Sequence, residues 1–195
     1  SGGLLDLLTE QVGYPLYEPI YYCNSNNSLE FVFTHIDSYG ESYYSFVNGQ
    51  YTNDGGTHQS AFREAILKAV NEYGKKLYEA KDVRDGIVGA IAVKVRNPIF
   101  ESQTKNKLGN TEIKSRIISE VKDFLIDFFY KHPEAAESIF LKIALNEKIR
   151  KELKAVQQEA KELSKKTSIR IPKLKDCKYH FNEVPTGKKK ELWRG

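Results

Sequence analysis

The segment Ile87-Val88-Gly89-Ala90-Ile91-Ala92-Val93 carries no polar side chain. A short run of this kind, rich in β-branched residues and closed by Asn97-Pro98, reads as a strand that water reaches from neither face. Such a strand is central in its sheet, with a neighbour on each edge and a covering layer on each side. The rest of the chain has to supply them. Upstream, Tyr17 to Cys23, Leu29 to Ile36 and Tyr43 to Asn48 have the aromatic and β-branched character of strands. Turn chemistry separates them at Asn24-Ser25-Asn26-Asn27 and at Asp37-Ser38-Tyr39-Gly40. These three are expected to form an antiparallel meander.

The covering layers are legible as helical periodicity. Leu4 to Glu10 reads as a short helix. Thr57 is the expected N-cap of a long one, in which Phe62, Ala65, Ile66, Ala69, Val70 and Tyr73 share a face. Ile113, Ile117, Val121, Phe124, Leu125 and Phe128 define another, interrupted at His132-Pro133, where Pro133 suits the first turn of the next helix. That last helix is expected over 134–165. Its apolar residues Ile149, Leu153, Val156, Ala160 and Leu163 form a narrow seam of coiled-coil type, more suited to packing than to a partner interface. The expected class is α/β or α+β, a small sheet with packed helices and a long helical arm. The expected organisation is a core over 1–132, a basic arm over 133–167 and a linker over 168–195. With no Met in its 195 residues, the chain is expected to be a piece of a longer protein.

Charge is uneven. Residues 1–100 hold 8 Lys/Arg against 12 Asp/Glu, and residues 101–195 hold 22 against 14. The basic half reads either as a solvated helix surface or as a face for nucleic-acid phosphates. No apolar run reaches the length of a membrane span, no signal peptide is visible, and Cys23 and Cys177 make neither a disulfide framework nor a zinc pattern. A cytoplasmic location is the expectation. Several chemistries lack their residues. There is no phosphate-binding Gly-rich loop ending in Lys-Ser or Lys-Thr, no dinucleotide fingerprint and no Gly-x-Ser-x-Gly elbow. His35, His58, His132 and His180 share no metal-ligand spacing, so no metal site is assigned. On its residues the chain is not a self-contained enzyme.

One loop stands out. Glu101-Ser102-Gln103-Thr104-Lys105-Asn106-Lys107 follows the buried strand, and a rigid strand can aim a loop at a ligand. Gln103 offers an amide and Lys105 a compact positive charge suited to a terminal phosphate. The plainer reading is an ordinary polar surface loop.

Four segments, in order along nearly the whole chain, resemble the B subunits of bacterial type IIA topoisomerases, gyrase and topoisomerase IV. They are Phe46 to His58 with its Gly55-Gly56-Thr57-His58, followed by Phe62-Arg63; Val83-Arg84-Asp85-Gly86 before the apolar strand; Pro98 to Gly109, which resembles the family's Gln-Thr-Lys loop; and Leu174-Lys175-Asp176-Cys177, which resembles the segment before the family's Toprim domain. Val47-Asn48-Gly49-Gln50 and Phe100-Glu101-Ser102-Gln103 look more like topoisomerase IV than gyrase.

The resemblance implies the transducer domain of such a protein, with the ribosomal protein S5 domain 2-like fold. By position, Gln103 and Lys105 would contact the γ-phosphate of ATP held by the neighbouring ATPase domain, with Lys105 as the catalytic candidate. ATP and Mg2+ would belong to the full-length protein and neither to this fragment alone, which is expected to be inactive. The implied partners are the ATPase and Toprim domains, the topoisomerase A subunit and double-stranded DNA, with dimerisation on ATP binding. Basic residues of the arm, Lys148, Lys151 and Lys154, would meet DNA phosphates. Arg63 is either structural or turned to the DNA cavity, and His58 is expected to organise the start of its helix. Two other classes stay open, a nucleic-acid-binding module of S5-like fold without an ATP role and a small-molecule kinase; the second needs a Gly-rich phosphate loop of its own.

Overall fold

The structure is a computed structural model that describes residues 3–166. Everything expected of 168–195, including Cys177, His180 and the Leu174–Cys177 segment, lies outside the described residues. In chain order the elements are α1 (Leu4–Gln11), β1 (Ile20–Cys23), β2 (Leu29–His35), β3 (Ser42–Val47), β4 (Gln50–Tyr51), α2 (Thr57–Gly74), α3 (Ala80–Arg84), β5 (Ile87–Val93), α4 (Lys114–Lys131) and α5 (Pro133–Lys166).

The apolar run is β5, and it is the middle strand of the order β1-β2-β5-β3-β4. It pairs antiparallel with β2, Phe31 facing Ile91, and parallel with β3, Ser45 facing Ile91. Side chains alternate across the sheet. Ile87, Ile91 and Val93 enter the main core with Phe31 and Phe33 of β2, Phe62 and Ile66 of α2, Val121 and Leu125 of α4 and Ile139 and Ile143 of α5. Val88 and Ala90 face the other way, into a second cluster with Leu4, Leu8 and Val12 of the α1 region. Gly89 is explained by its neighbours: a Cβ there would lie 3.1 Å from the Phe62 ring and 3.3 Å from both Phe33 and Tyr43. The aromatic layer packs directly on the strand backbone.

Of the expected meander only the antiparallel β1–β2 pairing forms. β3 does not pair with β2, because β5 inserts between them. The connection between β2 and β3 arches over the entry to β5. Ile36 N–H donates to the Gly86 carbonyl at 2.8 Å, and Gly86 N–H donates to the Gly40 carbonyl at 2.7 Å. Gly86 has φ +92°, and a Cβ on it would meet the Ile36 carbonyl oxygen at 2.7 Å. Only glycine fits beneath this arch. Two features escape the sequence reading. Asn48 and Gly49, both at positive φ, make the tight hairpin turn between β3 and β4. The short helix α3 precedes β5.

The long helix begins at Pro133 as expected. Its first part is not an arm, however. Ala136, Ile139 and Ile143 are buried in the main core, and contacts divide the chain into one unit of Ser1–Leu153 and a second of Lys154–Gly195. The expected division at 132/133 therefore falls inside a packed region. Within the first unit, a polar clasp holds α5 to the α3–β5 corner. The Arg150 guanidinium forks onto the nearly buried Asp82 carboxylate at 2.7 and 2.9 Å, and Asn146 Nδ2 donates to the Asp82 and Asp85 carbonyls, both at 2.9 Å. In the second unit, residues 154–166 are helical and the side chains of 154–165 are exposed. Leu153 and Val156 are 55% and 62% exposed, so the seam is not packed at these positions.

Phe62 is the keystone of the aromatic layer, fully buried and in ring contact with Phe31, Phe33 and Tyr43. Phe62→Ala is expected to cost about 3–5 kcal/mol, since truncation leaves a cavity beneath a strand that cannot collapse into it. Urea denaturation followed by circular dichroism measures this, and a loss below about 1 kcal/mol would contradict the packing described.

Candidate functional site

The loop after β5 is a small hairpin with a fixed base and an open tip. An isolated antiparallel bridge joins Phe100 to Leu108. Glu101 N–H donates to the Lys107 carbonyl at 3.0 Å, and Gly109 N–H donates to the Ile99 carbonyl at 2.8 Å. Beneath this, the buried Asn110 closes the loop. Its Oδ1 accepts from Ile99 N–H at 2.6 Å, and its Nδ2 donates to the Asn97 carbonyl at 3.0 Å and to Glu112 Oε1 at 2.6 Å. That last bond holds the Glu112 carboxyl below its ordinary range.

At the tip, Lys105 N–H donates to the Ser102 carbonyl at 3.1 Å, with Lys105 left-handed at φ +56°. The Ser102 and Thr104 hydroxyls are 2.7 Å apart. Gln103 and Lys105 are both exposed. Among the described residues neither side chain has a hydrogen-bond or ion-pair partner. The adjacent lysine behaves differently: Lys107 Nζ pairs with Glu101 at 2.8 Å, which raises its pKa. Of the two cations in this loop, Lys105 is the one left open to a ligand.

The hairpin base is sewn to the start of α2. Gly56 forms a parallel bridge with Leu108. Leu108 N–H donates to the Gly55 carbonyl at 3.1 Å, Thr57 N–H donates to the Leu108 carbonyl at 2.9 Å, and Asp54 N–H donates to the Asn106 carbonyl at 3.0 Å. The expectation that Thr57 caps α2 is not met. Gly56 occupies the cap position without a side-chain cap, and the Thr57 hydroxyl donates instead to the Leu108 carbonyl at 3.2 Å. The hydroxyl serves the hairpin rather than the helix end.

His58 sits beneath this joint, fully buried. Its Nε2 is 3.3 Å from Thr52 Oγ1, whose hydroxyl donates to the Ser45 carbonyl at 2.8 Å. Burial pushes its pKa down to about 4, so the ring is neutral. It ties α2 to the β3–β4 hairpin, in keeping with an organising role. His35 is likewise pushed to about 4, by burial above all. Its Nε2 lies 3.0 Å from the Val83 carbonyl, which can only accept, so Nε2 carries the proton and Nδ1 accepts from the Tyr17 hydroxyl at 2.6 Å.

The other site candidates lie elsewhere. Arg63 forks onto Glu41, with its Nε donating at 3.2 Å, and stands over the Tyr43 ring at 5.8 Å. The bond to Glu41 raises its pKa. It lines a cleft of about 340 Å³ with Lys81, Arg84 and Asp85. Lys148 and Lys151 are exposed on α5, each beside a carboxylate: Lys148 is 4.0 Å from Glu152 and Lys151 is 2.6 Å from Glu147. Lys154, in the second unit, is exposed. The structure therefore brings Gln103 and Lys105 together at one tip and leaves Arg63 and the α5 lysines on surfaces of their own. On the residues alone Gly56, Leu108 and the Asp82–Arg150 clasp are not singled out as functional; Gly56 and Leu108 enter only within the segments that carry the family resemblance. No described helix is long and apolar enough to cross a membrane.

Comparison with known proteins places this geometry in context. A family model described as DNA gyrase B matches residues 3–159. The B subunit of DNA topoisomerase 4 from Borreliella burgdorferi is 51% identical over 94% of this chain and 31% of its own length. The B subunit of DNA gyrase from Thermotoga maritima is 36% identical over 76% of this chain and 25% of its own. The chain thus spans under a third of these relatives. Among solved structures, the 43K ATPase domain of Thermus thermophilus gyrase B, in complex with an aminocoumarin, superposes with a TM-score of 0.70 at 26% identity, over 83% of this chain and 46% of that one.

The two buried histidines set a pH dependence. Each has a folded pKa below its ordinary value of 6.5. The unfolded chain then binds protons first as pH falls, so their contribution is complete above about pH 6.5 and is lost towards pH 4. The depressed carboxylates Glu64, Glu112 and Glu147 act only below their ordinary value of 4.5. The melting midpoint is expected to fall between about pH 6.5 and 5, and a midpoint that stays level there in a scanning calorimeter would contradict neutral burial.

Proposed function

The chain belongs to the DNA gyrase B family, and on that footing we propose that it is the transducer domain of the B subunit of an ATP-dependent type II DNA topoisomerase. In this reading it couples ATP binding and hydrolysis in a neighbouring ATPase domain to the passage of one DNA duplex through another. Topoisomerase IV is favoured over gyrase by the 51% identity to the Borreliella burgdorferi protein. A single observation carries the proposal: a hairpin pinned at its base that presents Gln103 and Lys105 at its tip, exposed and without protein partners among the described residues.

Those two side chains fit a terminal phosphate. The Lys105 ammonium brings a point charge and three donors, and the Gln103 amide brings two donors on the same turn. With ATP and Mg2+ held by the ATPase domain, Lys105 would neutralise charge on the outer phosphate oxygens as the bond to the leaving group lengthens. Gln103 would fix the phosphate's orientation. Once the phosphate departs, the tip loses the partner that held it across the domain boundary, and the two-domain arrangement is free to change. The partners in this reading are the ATPase and Toprim domains of the same polypeptide, the topoisomerase A subunit, a second copy of the B subunit and double-stranded DNA, in the cytoplasm. Lys148, Lys151 and Lys154 would meet DNA through phosphates, without reading bases. Arg63 is held by Glu41 and Tyr43, which favours its structural role.

In the full-length protein, Lys105→Ala is expected to lower ATP turnover by roughly tenfold or more, equivalent to about 1.4 kcal/mol of barrier. Unchanged turnover in a steady-state phosphate-release assay would remove the loop from the reaction. Replacing Lys148, Lys151 and Lys154 together by Ala should weaken DNA binding and lower the slope of log affinity against log salt by up to about 3. An unaltered slope would return these lysines to an ordinary solvated helix face.

A further inference from the structure

We infer that Gly56 and the Leu108 backbone form the joint that aims Lys105, so that Gly55-Gly56-Thr57 is a positioning element for the phosphate-contacting hairpin. This rests on the proposed role of Lys105. The two strands of the joint approach closer than any side chain permits. Gly56 has φ +134°, and a Cβ on it would fall 2.4 Å from the Leu108 carbonyl oxygen, 2.5 Å from its nitrogen and 2.9 Å from its Cα. These are backbone atoms and cannot swing aside. Leu108 itself is fully buried, in the main core. The glycine therefore exists for contact with the hairpin and for the unusual φ that brings it there.

The bonds that follow from this approach all act on the hairpin's outgoing limb. Leu108 is held on both sides, through its N–H to Gly55 and its carbonyl to Thr57 N–H and Oγ1, and Asn106 is held by Asp54 N–H. Asn106 is the residue next to Lys105. The incoming limb is fixed separately, by the Asn110 side chain through Ile99. The Lys105 backbone is thus located from two directions, by α2 on one side and by Asn110 on the other. Without the α2 side, the limb that carries Lys105 keeps only the burial of the Leu108 side chain and its bonds to the opposite limb of the same hairpin. Displacement by about 1 Å is enough to cost a large factor in rate when a group has to meet a reacting phosphate.

The test is a double-mutant cycle in the full-length protein, with ATP turnover as the readout. Gly56→Ala and Lys105→Ala are made singly and together. Gly56→Ala should lower kcat by roughly tenfold, close to the effect of Lys105→Ala, with a smaller change in KM, and the double variant should be no slower than Lys105→Ala alone. Thr57→Val keeps the backbone and the volume and removes only the hydroxyl bond to Leu108. It should lower kcat about threefold to fivefold with Lys105 present and not at all in the Lys105→Ala background. Should Gly56→Ala fail to fold, Thr57→Val decides alone. If Lys105→Ala slows turnover while Gly56→Ala and Thr57→Val do not, the positioning role is overturned and the reading of Lys105 stands. If Gly56→Ala slows the enzyme by the same factor with and without Lys105, the glycine serves folding only, and the inference is overturned. If Lys105→Ala itself has no effect, the functional reading falls, and the positioning role with it.

Discussion

A strand without a polar face determines most of this molecule. β5 has to be paired on both edges and covered on both sides, and each requirement recruits a different part of the chain. β2 and β3 take its edges, α1 covers one face, and α2, α4 and the first part of α5 contribute to the other. The arrangement also fixes where chain can leave. The connection between β2 and β3 cannot be a simple hairpin, since β5 lies between them, and it has to arch over Gly86. The segment that leaves the C-terminal end of β5 is held directly beyond it, where the Asn48 side chain accepts from Val95 N–H and donates to the Val95 carbonyl, both at 2.9 Å. A hairpin rooted there inherits a fixed origin.

Polar groups are used sparingly in the interior, and they join elements that the apolar core leaves separable. His58 links α2 to the β3–β4 hairpin, His35 links β2 to α3 through Val83, and Arg150 with Asn146 links α5 to the same corner through Asp82. Removing one partner of such a group leaves the other buried and unsatisfied, which is worse than never having made the bond. The clasp has a consequence for the helix. Its grip comes at Asn146 and Arg150, up to two turns beyond the apolar anchor at Ile143, so the packed part of α5 extends well past the point where its core-facing residues end.

Legibility in the sequence follows the kind of interaction. The central place of β5 is plain from its apolar run, and the helical faces of α2 and α4 from their spacing, because burial writes itself into residue type. Strand order is not. The meander expectation rests on adjacency in sequence, and nothing in β2 or β3 alone shows that β5 will insert between them. The extent of the arm is misread for a related reason: the Ile149–Leu163 seam draws attention away from Ala136, Ile139 and Ile143, which carry the packing. Gln103 and Lys105 are legible as neighbours in an exposed polar loop, and their phosphate role is the proposal to which the family resemblance points. The joint at Gly56 is not, because its partner is the backbone of Leu108, and backbone contacts leave only a glycine behind as their trace.

That joint bears on how a loop can be both exposed and accurate. Ordering a residue's backbone costs about 1–2 kcal/mol. A free loop would have to meet that cost for all five residues from Ser102 to Asn106 when it engaged a ligand, roughly 5–10 kcal/mol in all, well beyond the free energy of one charged contact. Here the turn at Ser102–Lys105 and the bonds to Asp54, Gly55 and Thr57 fix the backbone of the loop. Only the side chains of Gln103 and Lys105 remain to be ordered, and a lysine side chain carries about 2 kcal/mol of rotamer entropy. A charge-assisted hydrogen bond is worth about 1.5–3 kcal/mol, so the balance is small and of either sign. A contact so balanced can be both made and broken, and the pinned backbone is what keeps the balance from tipping wholly towards release.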